Sequence, residues 1–238
     1  MLLFYIRHGN PTYNPDELTP LGHREAEAVA RRLAVHGIDQ IFTSTSNRAK
    51  ETAQHTCELV QKTAVELDFA NEKYAYRDFH VKTEEGKTSW AYLSPQYKRI
   101  FVSREMRELG PRWLEHPIFE GTRFAEGMER VKREVDAWLE TLGYTYDPEG
   151  GCYLPTAPNA LRVALFAHEG FGLAFLSALL GLPYPLISTQ ISMHTSGMTA
   201  IDFTERDGIV IPNVVMLGGD GHLYAEHLPT CHRNGHRF

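Results

Sequence analysis

The sequence predicts an α/β fold, a three-layer sandwich in which a mostly parallel sheet has helices on both faces. The first part of the chain alternates strand, helix, strand and helix, which is the pattern of a parallel sheet with crossover helices. Near residue 160 an apolar strand pattern is again followed at once by an apolar helix. With 238 residues, 42% of them hydrophobic, the chain can form one large core, so we expect a single domain over residues 1–238.

The N-terminal elements follow from local signals. Residues 2–6 form an apolar run with two aromatic side chains, which is typical of a strand buried on both faces. Thr19, followed by proline, is a favoured N-cap and begins the first helix. A second strand is predicted over residues 38–44, and Ser46 is the expected cap of a second helix that ends near residue 62.

Regularity fades over about residues 66–158, which are rich in aromatic side chains. One helix pattern stands out there, over about residues 122–142. We interpret the rest as an irregular excursion that faces the substrate at the ligand-binding end of the sheet. Packing in the core is the alternative for its aromatic residues.

The C-terminal part of the chain returns to a regular pattern. A strand begins at residue 162 and is followed by an apolar helix that ends near residue 180. Two further strands, at about residues 197–203 and 209–217, are expected to complete the sheet.

Composition excludes several classes of protein. The 24 basic and 30 acidic residues give a net charge of 24 − 30 = −6, which argues against general nucleic-acid binding. Three widely spaced cysteines indicate a reducing compartment. No stretch approaches the roughly 20 apolar residues of a membrane helix. We therefore expect a cytoplasmic protein without a membrane partner, in which a few arginines hold any anionic ligand.

Two strand ends resemble each other. Arg-His-Gly at residues 7–9 follows the first strand, and His-Glu-Gly at residues 168–170 follows a later one. Ligands of parallel sheets bind at the carboxyl ends of strands, so the two histidines could face one ligand. Either histidine alone is adequately explained as a turn residue. Two at equivalent positions favour a reactive site.

Arg48 adds an anion-binding group to this pair. It lies just after the expected cap of the second helix, where free N–H groups and the helix dipole attract anions. A surface arginine is the alternative. Together with Arg7 it would present two planar donor forks, which suit phosphoryl oxygens. A neutral imidazole could then attack phosphorus while a carboxylic acid protonates the leaving oxygen.

Four motifs in this order resemble the histidine phosphatase superfamily, in particular its phosphoglycerate mutase-like phosphatases. They are Arg-His-Gly at residues 7–9, Leu-Thr-Pro-Leu-Gly at 18–22, the segment from Ser44 through Arg48 to Ala53, and Ala-His-Glu-Gly at 167–170. The resemblance covers the N-terminal part of the chain well, residues 160–230 reasonably and the middle poorly.

The resemblance implies a phosphomonoester hydrolase that needs no metal or cofactor and acts on a small phosphorylated substrate. His8 would be the nucleophile that becomes phosphohistidine, with His168 also catalytic. The implied phosphate-binding residues are Arg7, Arg48, His168, Asn10 and Gly170, the last by allowing a close approach of backbone.

Family members take their general acid from a carboxylate beyond the strand that follows the second helix. Glu72 is the first candidate here, and Glu84 and Glu85 are its rivals. The Glu-Arg-His-Tyr-Gly element of the mutases is absent between residues 66 and 90, which favours hydrolysis. A mutase-type phosphotransferase and a non-catalytic phosphate-binding module stay open as alternatives.

The remaining histidines are weaker signals. Their spacing near the C-terminus fits no compact ligand motif, so we expect no metal site among His222, His227, His232, His236 and Cys231. His194 is interpreted as a loop residue. The sequence does not set the oligomeric state, and a homodimer is one alternative.

Overall fold

A computed structural model describes residues 1–157 and 159–230 of the protein. Its strands, in chain order, are β1 (Leu2–Arg7), β2 (Pro11–Tyr13), β3 (Asp16–Leu18), β4 (Gln40–Ser44), β5 (Ala64–Leu67), β6 (His80–Lys82), β7 (Thr88–Trp90), β8 (Tyr144–Asp147), β9 (Cys152–Pro155), β10 (Arg162–Ala167), β11 (Met198–Asp202), β12 (Glu205–Arg206), β13 (Ile209–Val210) and β14 (Asn213–Gly219). Its helices are α1 (Pro20–Ala34), α2 (Asn47–Val60), α3 (Glu72–Phe79), α4 (Pro95–Phe101), α5 (Arg104–Leu109), α6 (Phe124–Thr141), α7 (Glu169–Leu180), α8 (Tyr184–Gln190) and α9 (Gly221–Ala225).

The central sheet has six strands in the order β14-β11-β1-β10-β4-β5. Strands β1, β10, β4 and β5 pair in parallel, whereas β11 pairs antiparallel with both of its neighbours, β1 and the edge strand β14. The mostly parallel α/β sheet predicted from the sequence is therefore confirmed. In this order β10 lies between β1 and β4, so the carboxyl ends of β1 and β10 are neighbours.

The core occupies both faces of this sheet, because side chains alternate along each buried strand. Leu3 and Tyr5 of β1 belong to a large cluster with the side chains of α6 and α7, and Phe4 and Ile6 belong to a second cluster with those of α1 and α2. Burial of both faces explains why β1 is a continuous apolar run rather than an alternating one.

The segment at residues 66–158 is more regular than predicted. It contains α3 through α6 and two hairpins, β6–β7 and β8–β9. Most of its aromatic residues pack in the core, since Phe79, Phe101 and Phe124 are fully buried. The short helices alternate with turns and lack the long periodic pattern that sequence reading depends on.

The strand predicted over residues 209–217 is wrong as a single element. Ile209–Val210 belongs to a separate four-stranded sheet with β12, β9 and β8, and Asn213–Gly219 pairs with β11 in the central sheet. Pro212 lies between the two pieces and cannot donate a ladder hydrogen bond, so the chain changes sheets there. Within the described ranges, no helix combines the length and apolar character needed to cross a membrane.

Candidate active site

The site forms where β1 and β10 end side by side. Arg7 pairs with Ala167 in register, and the backbone N–H of His8 donates to the carbonyl of Ala167 at 2.9 Å. His8 and His168 therefore leave the sheet together, with ring centroids 5.2 Å apart. The two residues are 2% and 0% exposed.

Hydrogen bonding fixes the tautomer of His8. Its Nδ1 lies 2.8 Å from the carbonyl oxygen of Gly9, which can only accept, so Nδ1 carries the proton and Nε2 holds the lone pair. Burial, with the charges of Arg7 and Arg48, lowers the pKa of His8 well below that of an exposed imidazole. The ring is therefore neutral at pH 7, with a free lone pair on Nε2.

His168 has the opposite tautomer. Its Nδ1 accepts from Nη2 of Arg48 at 3.1 Å, and Nε2–H donates to Oγ of Ser44 at 2.8 Å, with Oγ of Ser46 at 3.1 Å. Burial, followed by the neighbouring His8, lowers its pKa well below the usual range, so this ring is neutral too. The Tyr5 hydroxyl anchors the backbone of His168 by donating to its carbonyl at 2.6 Å.

Two guanidinium groups flank the imidazoles. Arg7 donates to Oε2 of Glu169 at 3.1 Å and to the carbonyl of Met193, and Arg48 donates to Oδ1 of Asp16 at 2.6 Å. Nε of each arginine is buried and has no partner among the described residues. A buried donor without an acceptor costs about 1–3 kcal/mol, which an oxyanion would recover. Both side chains are thus suited to an anionic ligand.

Of the three carboxylates predicted as candidates for the general acid, Glu72 is the one that lies at this site. Its two carboxylate oxygens accept from the backbone N–H groups of Gly170 and Phe171 at 3.1 and 2.9 Å, in the first turn of α7. Burial raises the pKa of Glu72, although those hydrogen bonds and the two site arginines oppose the rise. Glu84 and Glu85 are exposed and line a different cavity.

Asn10 and Gly170 occupy less direct positions than the other predicted residues. The Asn10 amide oxygen accepts from the Thr19 hydroxyl at 2.8 Å, which ties it to the start of α1. A glycine is needed at residue 170 because a Cβ there would lie 2.4 Å from the indole ring of Trp90. The backbone N–H of Gly170 is engaged by Glu72. Phosphate contact by Asn10 or Gly170 stays a prediction.

A cavity of about 550 Å³ opens beside Arg48 and Glu72. Its walls combine aromatic, charged and small polar side chains, and they are Tyr13, Asp16, Thr45, Ser46, Asn47, Arg48, Asn71, Glu72, Lys73, Tyr76 and Trp90.

Three of the C-terminal residues considered as metal ligands, Cys231, His232 and His236, lie outside the described residues. His222 is buried, with Nε2 2.9 Å from the carbonyl of Ser196, and burial lowers its pKa to about 4. In the part of the chain that the structure describes, no three His, Cys, Asp or Glu side chains lie close enough together to hold a metal ion.

Comparison with known proteins decides the family. The sequence model of the histidine phosphatase superfamily (branch 1) matches residues 3–212. The chain belongs to the histidine phosphatase superfamily. The family resemblance found in the sequence is thereby confirmed, and so is the prediction of a phosphatase of this family.

The individual relatives have low sequence identity to this chain. A Hydrogenobacter thermophilus protein named "Putative phosphoserine phosphatase 2" is 26% identical over 208 residues, covering 84% of this chain and 88% of its own. A Yersinia enterocolitica protein named "Probable phosphoglycerate mutase GpmB" is 26% identical over 231 residues, or 92% of each chain. A structure of phosphoserine phosphatase from Entamoeba histolytica, in complex with 3-phosphoglyceric acid, has the same fold, with a TM-score of 0.58, 18% identity and coverage of 93% of this chain and 98% of that one.

Sequence reading missed several side chains that hold this histidine phosphatase site together. Glu25 of α1 is fully buried and accepts from the Asn10 N–H at 2.7 Å and from the Thr195 hydroxyl at 3.2 Å. Thr52 of α2 accepts from the Gly9 N–H at 2.9 Å. The position of Glu25 on the apolar stripe of α1 is the one sequence signal that could have revealed it.

Proposed function

We propose that this protein is a metal-independent phosphomonoester hydrolase that works through a phosphohistidine intermediate on His8. The observation that carries the proposal is the neutral His8 ring, whose lone pair resides on Nε2 in a buried cluster with Arg7 and Arg48. Phosphoryl transfer needs an in-line nucleophile and positive charge around the equatorial oxygens, and this cluster offers both.

In the first step, Nε2 of His8 attacks phosphorus and forms an N–P bond, while the P–O bond to the leaving alcohol breaks. The Nδ1–H bond to the Gly9 carbonyl stabilises the positive charge that develops on the ring. Arg7, Arg48 and His168 would bind the transferring oxygens. Glu72 in its acid form would donate a proton to the leaving oxygen, a role that its raised pKa supports.

In the second step, water attacks the phosphohistidine. The Glu72 carboxylate left by the first step takes one proton from this water, the N–P bond breaks, and its electron pair returns to Nε2. Inorganic phosphate leaves, and His8 and Glu72 regain their starting protonation states. No metal or redox partner is needed to balance either step.

Glu72 also separates this proposal from its alternatives. A pure phosphate-binding module would need no proton donor, whereas Glu72 lines the same cavity as Arg48. The absence of the Glu-Arg-His-Tyr-Gly element between residues 66 and 90 favours transfer to water over mutase chemistry. The name of the Yersinia relative keeps the mutase as the second candidate.

The test is to trap the intermediate. We expect brief mixing with a radiolabelled phosphomonoester, followed by a denaturing quench in base, to leave label on the wild-type chain that acid then releases. His8→Ala should acquire no label and show no turnover, while His23→Ala, a surface control, should behave as wild type. Label on His8→Ala, or full turnover by it, would refute the mechanism. Hydrolysis that a chelator abolishes would refute metal independence.

A further inference from the structure

The cavity beside Arg48 has aromatic walls, formed by Tyr13, Tyr76 and Trp90. Resting on the proposed function, we propose that these walls select phosphomonoesters whose leaving alcohol bears a flat, uncharged aromatic ring, in preference to carboxylated ones. An ester that reaches His8 past Arg48 and Glu72 places its alcohol in this cavity, so the cavity walls decide which alcohol fits.

Trp90 is built into a fixed position. Its ring lies against the Cα of Gly170, where no side chain larger than hydrogen fits. Tyr76 meets it edge-on, with ring centroids 5.1 Å apart, and Tyr92 supports it at 5.3 Å. The indole is therefore a rigid wall that loses little conformational freedom when a second ring packs on it.

Tyr13, from the β2–β3 hairpin, lines the same cavity. The residue is 68% exposed, and the Arg48 guanidinium lies 5.3 Å from its ring centroid. A substrate ring in the cavity would cover apolar surface on Tyr13 that is now in contact with water.

Charge in the cavity is already balanced. The cationic walls are Arg48 and Lys73, and each has an acidic partner, Asp16 at 2.6 Å and Asp68 at 3.8 Å. Glu72 adds a further carboxyl group. Because Arg48 is assigned to the phosphoryl oxygens and Glu72 lies beside it, a carboxylate on the leaving alcohol would have only the exposed Lys73, already paired with Asp68, as its cationic partner, whereas a neutral ring needs none.

The experiment compares three esters that share the same type of leaving oxygen, a primary alcohol. They are benzyl phosphate, cyclohexylmethyl phosphate and 4-carboxybenzyl phosphate. We expect kcat/KM for the benzyl ester to exceed that for the cyclohexylmethyl ester by roughly tenfold, the scale of one or two aromatic contacts. The carboxylated ester should be the poorest of the three. Equal values for the first two, or preference for the carboxylated ester, would overturn the proposal.

Substitutions of the aromatic walls test which residues cause the preference for the benzyl ester. Tyr13→Leu and Trp90→Leu should raise KM for the benzyl ester more than for the cyclohexylmethyl ester, and so lower the ratio of their kcat/KM values, because the loss of an aromatic contact affects only the aromatic ring. Tyr13 is exposed, so its variant folds even if the Trp90 variant does not. Tyr224→Leu, at an 80% exposed tyrosine that does not line the cavity, is the matched control. An unchanged benzyl-to-cyclohexylmethyl ratio in Tyr13→Leu and in any folded Trp90→Leu protein would refute the assignment of the walls.

These outcomes are distinct from failure of the proposed function. If none of the three esters is hydrolysed, or if His8→Ala hydrolyses them, the phosphatase mechanism itself fails and the specificity inference falls with it. If all three are hydrolysed equally through His8, only the inference about the leaving group fails.

Discussion

Replacing Glu72 by Gln tests the proton donor most directly. Glutamine has nearly the same shape, but it cannot give up a proton as an acid does, so the leaving alkoxide must depart unprotonated. General acid catalysis contributes about 10²–10⁴-fold, which corresponds to roughly 3–5 kcal/mol of barrier. We expect a loss of that size for an alkyl ester such as benzyl phosphate, whose alkoxide is a poor leaving group.

The same substitution has a predictable effect on stability. The Glu72 carboxylate accepts from both Gly170 and Phe171, and glutamine keeps only one acceptor oxygen for these two N–H groups. One backbone N–H would lose its partner and face the new amide group. An unsatisfied donor costs about 1–3 kcal/mol, so thermal or urea unfolding should show Glu72→Gln to be less stable than wild type by that amount.

The assay is kcat/KM for benzyl phosphate beside 4-nitrophenyl phosphate, whose phenolate leaves without help from an acid. Glu72→Gln should lose at most about tenfold on the nitrophenyl ester. Glu84→Gln, at an exposed carboxylate in another cavity, should match wild type on both esters. Equal losses on the two esters would show that Glu72 only holds the structure in place, and no loss on either would remove it from the mechanism.

Three further perturbations have defined outcomes. The lowered pKa of His8 keeps the imidazole neutral in mild acid, so kcat/KM should begin to fall on the acid side only below pH ~6.5. The raised pKa of Glu72 should set the fall of kcat/KM on the alkaline side, and Glu72→Gln should abolish that fall. A bell-shaped pH profile centred above pH ~8 would contradict both assignments. Gly170→Ala would force its methyl group into the Trp90 ring and should cost about 1–3 kcal/mol of unfolding free energy, measured by urea titration, whereas wild-type stability would show that Trp90 moves aside freely. Asp78→Ala removes the buried carboxylate that Arg130 contacts at 2.9 Å and should destabilise by about 3 kcal/mol, and a neutral effect would mean that the arginine regains full hydration.

Much of the fold was predictable because its signals are local. The apolar run before Arg7, the Thr19-Pro20 start of α1 and the apolar stripe of α6 depend on neighbours within a few residues, and each element is present within a few residues of its expected bounds. Sequence reading was weakest at residues 66–158, where α4 and α5 have only seven and six residues. Helices so short are stabilised by packing rather than by their own pattern.

For the site, the sequence by itself determined which reactive side chains end β1 and β10, because a buried strand and the polar residues after it are written consecutively. Only the tertiary structure decided how they are used. The bond from Arg48 to His168 spans 120 residues and fixes a tautomer, and the bond from Gly170 to Glu72 spans 98 residues and separates Glu72 from Glu84. Such contacts depend on the order of strands in the sheet and on which loops meet at its edge. No local propensity encodes that order, since it is set by the joint burial of side chains far apart in the chain.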